Sequence, residues 1–452
     1  MADRTTTWEY GDEGVRLGQG CGGDIAFWSG WHRYWRWFVT LFHGEFRRGL
    51  RPLIAATVGA GCGLTSIPFY THGVFVVPVA GSMGWGRGET QFAFAFLMMS
   101  AIVTAPAVGV LIDRFGARRI ALVSIPLLGA TFGGLSLSGS GIWSYYLLWI
   151  CMAVLASGTL PVTWTRVVNT WFDKRRGLAL GLTMSGTGIA AALSPVLAAS
   201  LIETYGWEVA YRILGIVIVV IALPIAALWL REAPRTSQDM LKGSAGAGVR
   251  LSDALRTLRF WILGLAFLCV SVGIGGLITN LVPMLLDRGL DPGSAAEYAG
   301  FVGVSVIAGR LVTGFLIDKL WAPGIAFAFL SAPAVSCLLL SVGLQSDVWL
   351  AIAALIVGLA AGAELDLIAF LVSRYFGLRH YGAIYGAVFV FFAVGSGFAP
   401  AVFGSVYDRF HTYTPILVVA ASLFVVGGSL LLLLGKYPEL REQKPNSVEV
   451  RD

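Results

Sequence analysis

Gly109-Val110-Leu111-Ile112-Asp113-Arg114-Phe115-Gly116-Ala117-Arg118-Arg119 ends an apolar run with an acid, a glycine and three arginines, and the chain writes its first half twice. Gly314-Phe315-Leu316-Ile317-Asp318 returns about 205 residues later. Asn169-Thr170-Trp171-Phe172 returns, one residue out of step, as Ser373-Arg374-Tyr375-Phe376. Gly177-Leu178-Ala179-Leu180-Gly181 returns as Gly382-Ala383-Ile384-Tyr385-Gly386, Pro195 as Pro400 and Glu203 as Asp408. Any one of these matches is weak. In order and at nearly one offset they indicate duplication into two parallel halves, one of the known plans for membrane transporters.

Composition names the solvent. Of 452 residues, 56% are hydrophobic and 13% charged, against about a quarter charged in soluble domains. The mean hydropathy of +0.76 points the same way. Apolar runs near the ~20 residues that cross a bilayer core recur throughout, rich in Gly, Ala and Ser that let helices approach closely. They lack the ten-residue alternation of an outer-membrane barrel. The sequence therefore predicts an all-α membrane protein of twelve transmembrane helices in two six-helix halves, related by a pseudo-two-fold repeat. Spans are expected over 52–80, 90–112, 118–138, 143–170, 177–202, 210–230, 260–285, 294–317, 322–343, 348–373, 381–405 and 413–434.

Basic residues set the orientation. Arg47, Arg48 and Arg51 precede span one; Arg114, Arg118 and Arg119 follow span two; Lys174, Arg175 and Arg176 follow span four. The opposite loops hold only Arg87, Arg288 and Arg409 as clear members. The positive-inside rule places both termini in the cytoplasm. The divisions are an N-terminal segment 1–50, a first half 51–230, a polar cytoplasmic linker 231–259, a second half 260–435 and a tail 436–452. Within the first, Trp28, Trp31, Trp35 and Trp37 interleave with His32, Arg33 and Arg36, which suits either a helix lying among lipid headgroups or a tail beside them. No cleavable signal is expected, because the first strongly apolar span starts only near Pro52. The five cysteines are scattered, so neither a disulfide framework nor a metal site is expected. The net charge of +6 is placed for a bilayer rather than nucleic acid. Without a phosphate-binding Gly-rich loop, ATP-driven transport and cofactors are not expected.

The Gly109–Arg119 stretch resembles the loop-two/three signature of the major facilitator superfamily, with Ala117 in place of that pattern's usual first arginine; its second copy, Asp318-Lys319-Leu320-Trp321, lacks the glycine and the arginine pair. Together with the repeat, the resemblance covers roughly residues 50–435. Pro68-Phe69-Tyr70-Thr71-His72-Gly73-Val74-Phe75 running on to Gly84-Trp85-Gly86-Arg87, Trp171–Ala179, and Asp287-Arg288-Gly289-Leu290 leading to Gly309-Arg310 resemble the monocarboxylate-transporter and oxalate/formate-exchanger branch. The resemblance implies that Arg310 binds a substrate carboxylate, that spans one, four, seven and ten line the path, and that a bacterial inner membrane is the location. Two of the branch's residues are absent. Its acid four residues before the span-eight arginine is Val306 here, and its span-one lysine has only Tyr70 or His72 nearby.

Charge inside a membrane helix is costly and marks function. The candidates for substrate contact are Arg310, Arg166, Tyr70, His72 and Asn280; those for proton coupling or a charge pair are Glu364 and Asp366; those for a conformational loop are Gly109, Asp113, Arg114, Gly116, Arg118 and Arg119. Arg310 lies eight residues before Asp318, about 12 Å of helix rise from the end. At that depth its guanidinium fork suits a carboxylate. The competing reading is a structural ion pair with Glu364 or Asp366. Arg166, five residues before Trp171, suits a snorkelling or gate arginine as well as an anion-attracting one. His72 suits a structural hydrogen bond as well as titration, and Tyr70, Phe75, Trp164 and Phe370 suit packing as well as a pocket. Glu364 and Asp366, two apart and so roughly 200° around a helix, cannot both face one path.

These readings converge on a monomeric secondary transporter for a small organic anion, a mono- or aromatic carboxylate, working by alternating access and open to proton coupling. Two rivals stand beside it: an exporter of amphipathic or cationic compounds, with Glu364 and Asp366 facing the path, and a non-transporting membrane sensor.

Overall fold

The structure, a computed structural model, describes residues 45–139, 141–172, 176–233, 249–317, 319–342, 346–377 and 380–438. The Trp/Arg-rich stretch before residue 45, the middle of the linker, the tail beyond 438, Lys174, Arg175 and Asp318 lie outside these residues, as does the side chain of Asp113. The chain divides into two compact units, 1–48 and 49–452. Of the first only 45–48, the opening of α1, is described; the second carries all the remaining elements.

All regular structure among the described residues is helical. The elements are α1 (Glu45–Gly61), α2 (Ile67–Met83), α3 (Arg87–Phe115), α4 (Ala117–Gly134), α5 (Ile142–Leu155), α6 (Pro161–Trp171), α7 (Arg176–Tyr205), α8 (Trp207–Trp229), α9 (Leu251–Ala254), α10 (Leu258–Leu286), α11 (Pro292–Ile317), α12 (Ala322–Ser331), α13 (Pro333–Ser341), α14 (Asp347–Phe376), α15 (Tyr381–Phe410) and α16 (Thr414–Leu432). Nine described segments are long and apolar enough to cross a membrane, α12 with α13 counting as one; α2 and α5 are shorter apolar helices. The exposure of large apolar side chains follows from this solvent: Val103, Trp143, Val220 and Val342 all stand well exposed, as lipid-facing residues do.

Three expected continuous spans are interrupted. The first, over 52–80, breaks at 62–66; the fourth, over 143–170, breaks at 156–160 around a short 3-10 turn; the ninth breaks at Ala332. Each following helix carries proline in its first turn (Pro68, Pro161, Pro333), where a missing N–H costs nothing. One hydrogen bond joins the first two breaks. Leu64 N donates to Thr159 Oγ1 at 3.1 Å, the same hydroxyl donates to the Ala156 carbonyl at 2.8 Å, and Trp164 Nε1 donates to the Thr159 carbonyl at 2.9 Å. A backbone N–H freed at the first break thus finds its partner at the second, and two carbonyls of the second are served locally, as buried polar groups must be. Gly63 makes the approach possible, since a Cβ there would lie 2.7 Å from the Thr159 carbonyl oxygen.

Small residues set the long contacts. α7 lies on α11 through Gly188, Ala191 and Ala192 against Gly300 and Gly303; α3 lies on α15 through Gly88 against Gly404. α14 lies on α11 through Gly358 and Gly362, the latter facing the Val306 carbonyl and the backbone nitrogen of Arg310. α10 touches α2 where Gly73 meets the Thr279 carbonyl. Where side chains are absent, dispersion contact is made backbone to backbone, the usual solution when no hydrophobic force drives helices together.

The Gly109–Arg119 stretch forms the direct turn from α3 to α4. Gly116 sits at φ +84°, a conformation open to glycine and strained for other residues. Ala117 N donates to Glu232 Oε1 at 2.5 Å, and Arg118 Nη2 donates to the Ala227 carbonyl at 2.6 Å. Arg114 and Arg119 are exposed, and Gly109 faces open space. The linker's start is fastened here too: Trp171 Nε1 donates to the Arg231 carbonyl at 2.6 Å, and Ala233 N to Thr170 Oγ1 at 3.1 Å. Its end is fastened to α14, with Val249 N donating to the Phe376 carbonyl at 2.9 Å.

Candidate functional site

The close approach of α11 to α14 at Gly362 holds Arg310 beside the acidic stretch of α14. Arg310 is 9% exposed, and its Nε has no hydrogen-bond partner among the described residues. Glu364 is 2% exposed, with Oε1 likewise unpartnered. Asp366 is half-buried. The ion pair of Arg310 with Glu364 or Asp366 does not form: among the described residues the salt bridge within 4.0 Å is Arg87–Asp287. The Arg310 charge nevertheless acts on its surroundings, lying within electrostatic reach of Asp366 on α14, Tyr70 on α2 and Tyr385 on α15. Tyr70 also feels Glu364. A buried guanidinium with an open donor and no fixed counter-charge has an unmet demand for an anion.

The other candidates separate from this group. His72 is 2% exposed and lies against Phe94 (5.6 Å) and Trp149 (5.1 Å, edge-on), with both ring nitrogens unpartnered among the described residues. It belongs to an aromatic nest between α2, α3 and α5, while Tyr70, two residues earlier, lies within electrostatic reach of Arg310. Phe75 stacks on Tyr211 at 3.7 Å, and Trp164 is fully buried against Gly59, so both pack rather than line a path. Arg166 is exposed on α6. Phe370 lies under the Arg374 guanidinium at 5.3 Å.

Asn280 is committed elsewhere. Its Nδ2 donates to Gln91 Oε1 at 3.0 Å and to the Gly276 carbonyl at 2.9 Å, while Gln91 Nε2 donates back to Asn280 Oδ1 at 2.8 Å. Both residues are fully buried. Asn280, expected to contact substrate, forms here a reciprocal amide pair fixing α3 to α10.

That pair is the inner layer of a cluster the sequence reading missed. Arg87 Nη1 and Nη2 donate to the two oxygens of Asp287 at 2.6 and 2.8 Å, and Nη1 also donates to the Tyr413 hydroxyl at 3.2 Å. The guanidinium lies 3.9 Å from the centre of the Tyr407 ring. Arg87 N and Gly88 N, in the first turn of α3, donate to Asp408 Oδ1 and Oδ2 at 3.1 and 2.8 Å. A carboxylate from the end of α15 thus caps a helix 320 residues earlier in the chain, where the helix dipole favours it. Arg87 was visible as one of three basic residues on the face otherwise poor in them, and Asp408 as the repeat partner of Glu203. Neither signal says which partner each would find.

The chain resembles known proteins along most of its length. The family model of the Major Facilitator Superfamily matches residues 58–400. An uncharacterized MFS-type transporter, YcxA of Bacillus subtilis, is 26% identical over 90% of this chain and 96% of its own. Monocarboxylate transporter 11 of Mus musculus is 23% identical over 84% and 86%, and the oxalate:formate antiporter of Oxalobacter formigenes 28% identical over 56% and 59%. Among solved structures, a bacterial homologue of the human lysosomal transporter Spinster, crystallised inward-facing and unoccupied, superposes with a TM-score of 0.64 at 15% identity, covering 86% of this chain and 98% of that one.

Proposed function

Because the chain belongs to the major facilitator superfamily, and is a membrane transporter rather than an enzyme, we propose that it carries a small organic anion with a carboxylate head by alternating access. The observation that carries the substrate reading is Arg310: buried at mid-helix, without an ion pair, and within reach of Tyr70, Asp366 and Tyr385. A carboxylate would accept its paired donors and supply the missing charge. The relatives named for monocarboxylates and for oxalate and formate support the same class.

Counting α1 with α2, α5 with α6 and α12 with α13 as single crossings gives twelve spans, six on either side of the linker. Both termini then share one face, the cytoplasmic one by its basic residues, in a bacterial inner membrane, and the protein works as a monomer. The Arg87–Asp287–Asp408 cluster closes the opposite face between the two halves, with the Gln91–Asn280 pair beneath it. Opening that face requires the whole layer to part. Glu364 and Asp366 are the candidates for proton coupling.

The test is thermal stabilisation of the purified protein by a panel of carboxylates, amines and neutral solutes, with Arg310→Gln alongside. A carboxylate is expected to raise the melting temperature of the native protein and not of the variant. Stabilisation by amines alone, undiminished in Arg310→Gln and lost in Glu364→Gln, would transfer the reading to a cation exporter.

A further inference from the structure

We propose that the carboxylate carried by this protein has a planar aromatic body, and that Tyr385 and Phe389 select for it. This rests on the reading of Arg310 as the anion site and adds what lies beside it.

α15 has two unlike faces. One is buried against α10: Ile384 and Val388 are inaccessible, Phe391 lies over Gly264, and Gly395 meets Ser271. The other carries Tyr381, Tyr385, Phe389 and Phe392, all half-exposed. The four rings form a ladder. Tyr381 to Tyr385 is 5.7 Å between centres at 25°, Tyr385 to Phe389 is 6.2 Å at 23°, and Phe389 to Phe392 is 5.2 Å at 34°. A stripe of this kind on a membrane helix is ordinarily packing or lipid contact. Tyr385 argues against lipid here, since it sits in the field of both Arg310 and Asp366, which belong to α11 and α14. Tyr385 thus joins the ladder to the anion site, with Phe389 the next ring along the helix.

Its rise fits a route. From Tyr381, the first residue of α15, to Phe392 is about 16 Å of helix. On α14, Gly362, which faces the Arg310 backbone, lies 14 residues before Phe376, about 21 Å from that helix's end at the same membrane face. The rungs thus climb from the mouth toward the level of Arg310, Glu364 and Asp366. Along the rungs the side chains offer ring faces, with two phenol hydroxyls as their polar groups. A ligand whose carboxylate sits on Arg310 would lay its remaining atoms against this surface. An aromatic ring stacks there with favourable offset geometry. A short aliphatic acid would leave most of this ring surface uncovered.

The experiment uses the full-length protein in lipid nanodiscs and measures affinities for benzoate and phenylacetate against acetate and lactate. The native protein is expected to bind the aromatic acids at least about 10-fold more tightly, the scale of a well-formed aromatic pair plus the ring area it covers. Phe389→Leu and Tyr385→Leu should each reduce that preference severalfold; Tyr385→Phe, which keeps the ring, should retain it. Arg310→Gln should lose aromatic and aliphatic acids alike. Equal or tighter binding of the aliphatic acids to the native protein, or a preference that survives both leucine variants, would overturn the aromatic assignment and leave the anion site standing. Absence of binding by every carboxylate would overturn both.

Discussion

Replacing Arg87 by methionine removes, in one step, two charge-assisted bonds to Asp287, a bond to Tyr413 and the contact with the Tyr407 ring, while the backbone bonds of residues 87 and 88 to Asp408 remain available. Arg87 and Asp287 keep 15% and 24% of their side-chain surface, so the pair is neither fully screened nor fully desolvated. Both groups regain water when the face opens, and the net preference for the closed state is therefore far below the gas-phase value. Charge-assisted bonds in proteins contribute about 1.5–3 kcal/mol net; about 2 kcal/mol for this partly wetted pair shifts the closed-to-open ratio by roughly 30-fold, at 1.4 kcal/mol per factor of ten. The reporter is Thr279→Cys, 1% exposed where α10 meets Gly73, in a background with the five native cysteines replaced. Labelling by a membrane-impermeant thiol reagent applied to the face of residues 84–90 should accelerate by about that factor in Arg87→Met and similarly in Asp287→Asn, with little added in the double variant. Lys319→Met, on the other face, should leave the rate unchanged. Labelling within twofold of the parent in both single variants would refute the idea that this cluster holds the face shut.

Three further outcomes follow from the geometry. Gln91→Leu and Asn280→Leu each strand a buried amide and should lower stability by about 1–3 kcal/mol, whereas the double leucine variant should recover much of it, read by thermal melting. Thr159→Val keeps the shape but deletes the hydroxyl that serves Leu64 N and the Ala156 carbonyl; a loss of about 1–3 kcal/mol is expected, and an unchanged melting temperature would show that the two breaks do not depend on each other. Gly116→Ala at φ +84° should cost about 1 kcal/mol or more through backbone strain alone, a prediction that fails if the melting curve does not move.

Hydropathy placed the helices well because the solvent acts on every residue of a span at once: α10, α11, α15 and α16 start within two residues of their expected positions. It missed the breaks at 62–66 and 156–160 because apolarity runs straight through them. There the deciding contact is Gly63 against the Thr159 carbonyl, a pairing 96 residues apart. Pro68 and Pro161 were the local clue, marking where a helix begins again. At the site, Arg310, Glu364 and Asp366 stood out since charge in a membrane helix is rare enough to notice. Gln91 did not, and Asn280 was read without its partner. An amide pair is specified by two residues 189 positions apart, and neither carries a signal until the helices are side by side. The same holds for Tyr385, an ordinary aromatic in sequence whose proposed role depends on lying within electrostatic reach of Arg310.

In the proposed alternating-access cycle, the seam of Gly188, Ala191 and Ala192 against Gly300 and Gly303 bears on speed rather than direction. Interlocked leucines would have to change rotamer before one helix could roll over another, and each would resist with its own torsional barrier. Glycine and alanine have no rotamers to lose or exchange. Such a surface works as a bearing: the two helices can tilt across it with the backbones still touching, and Ile307, packed on Gly188, is the larger side chain that sets its friction.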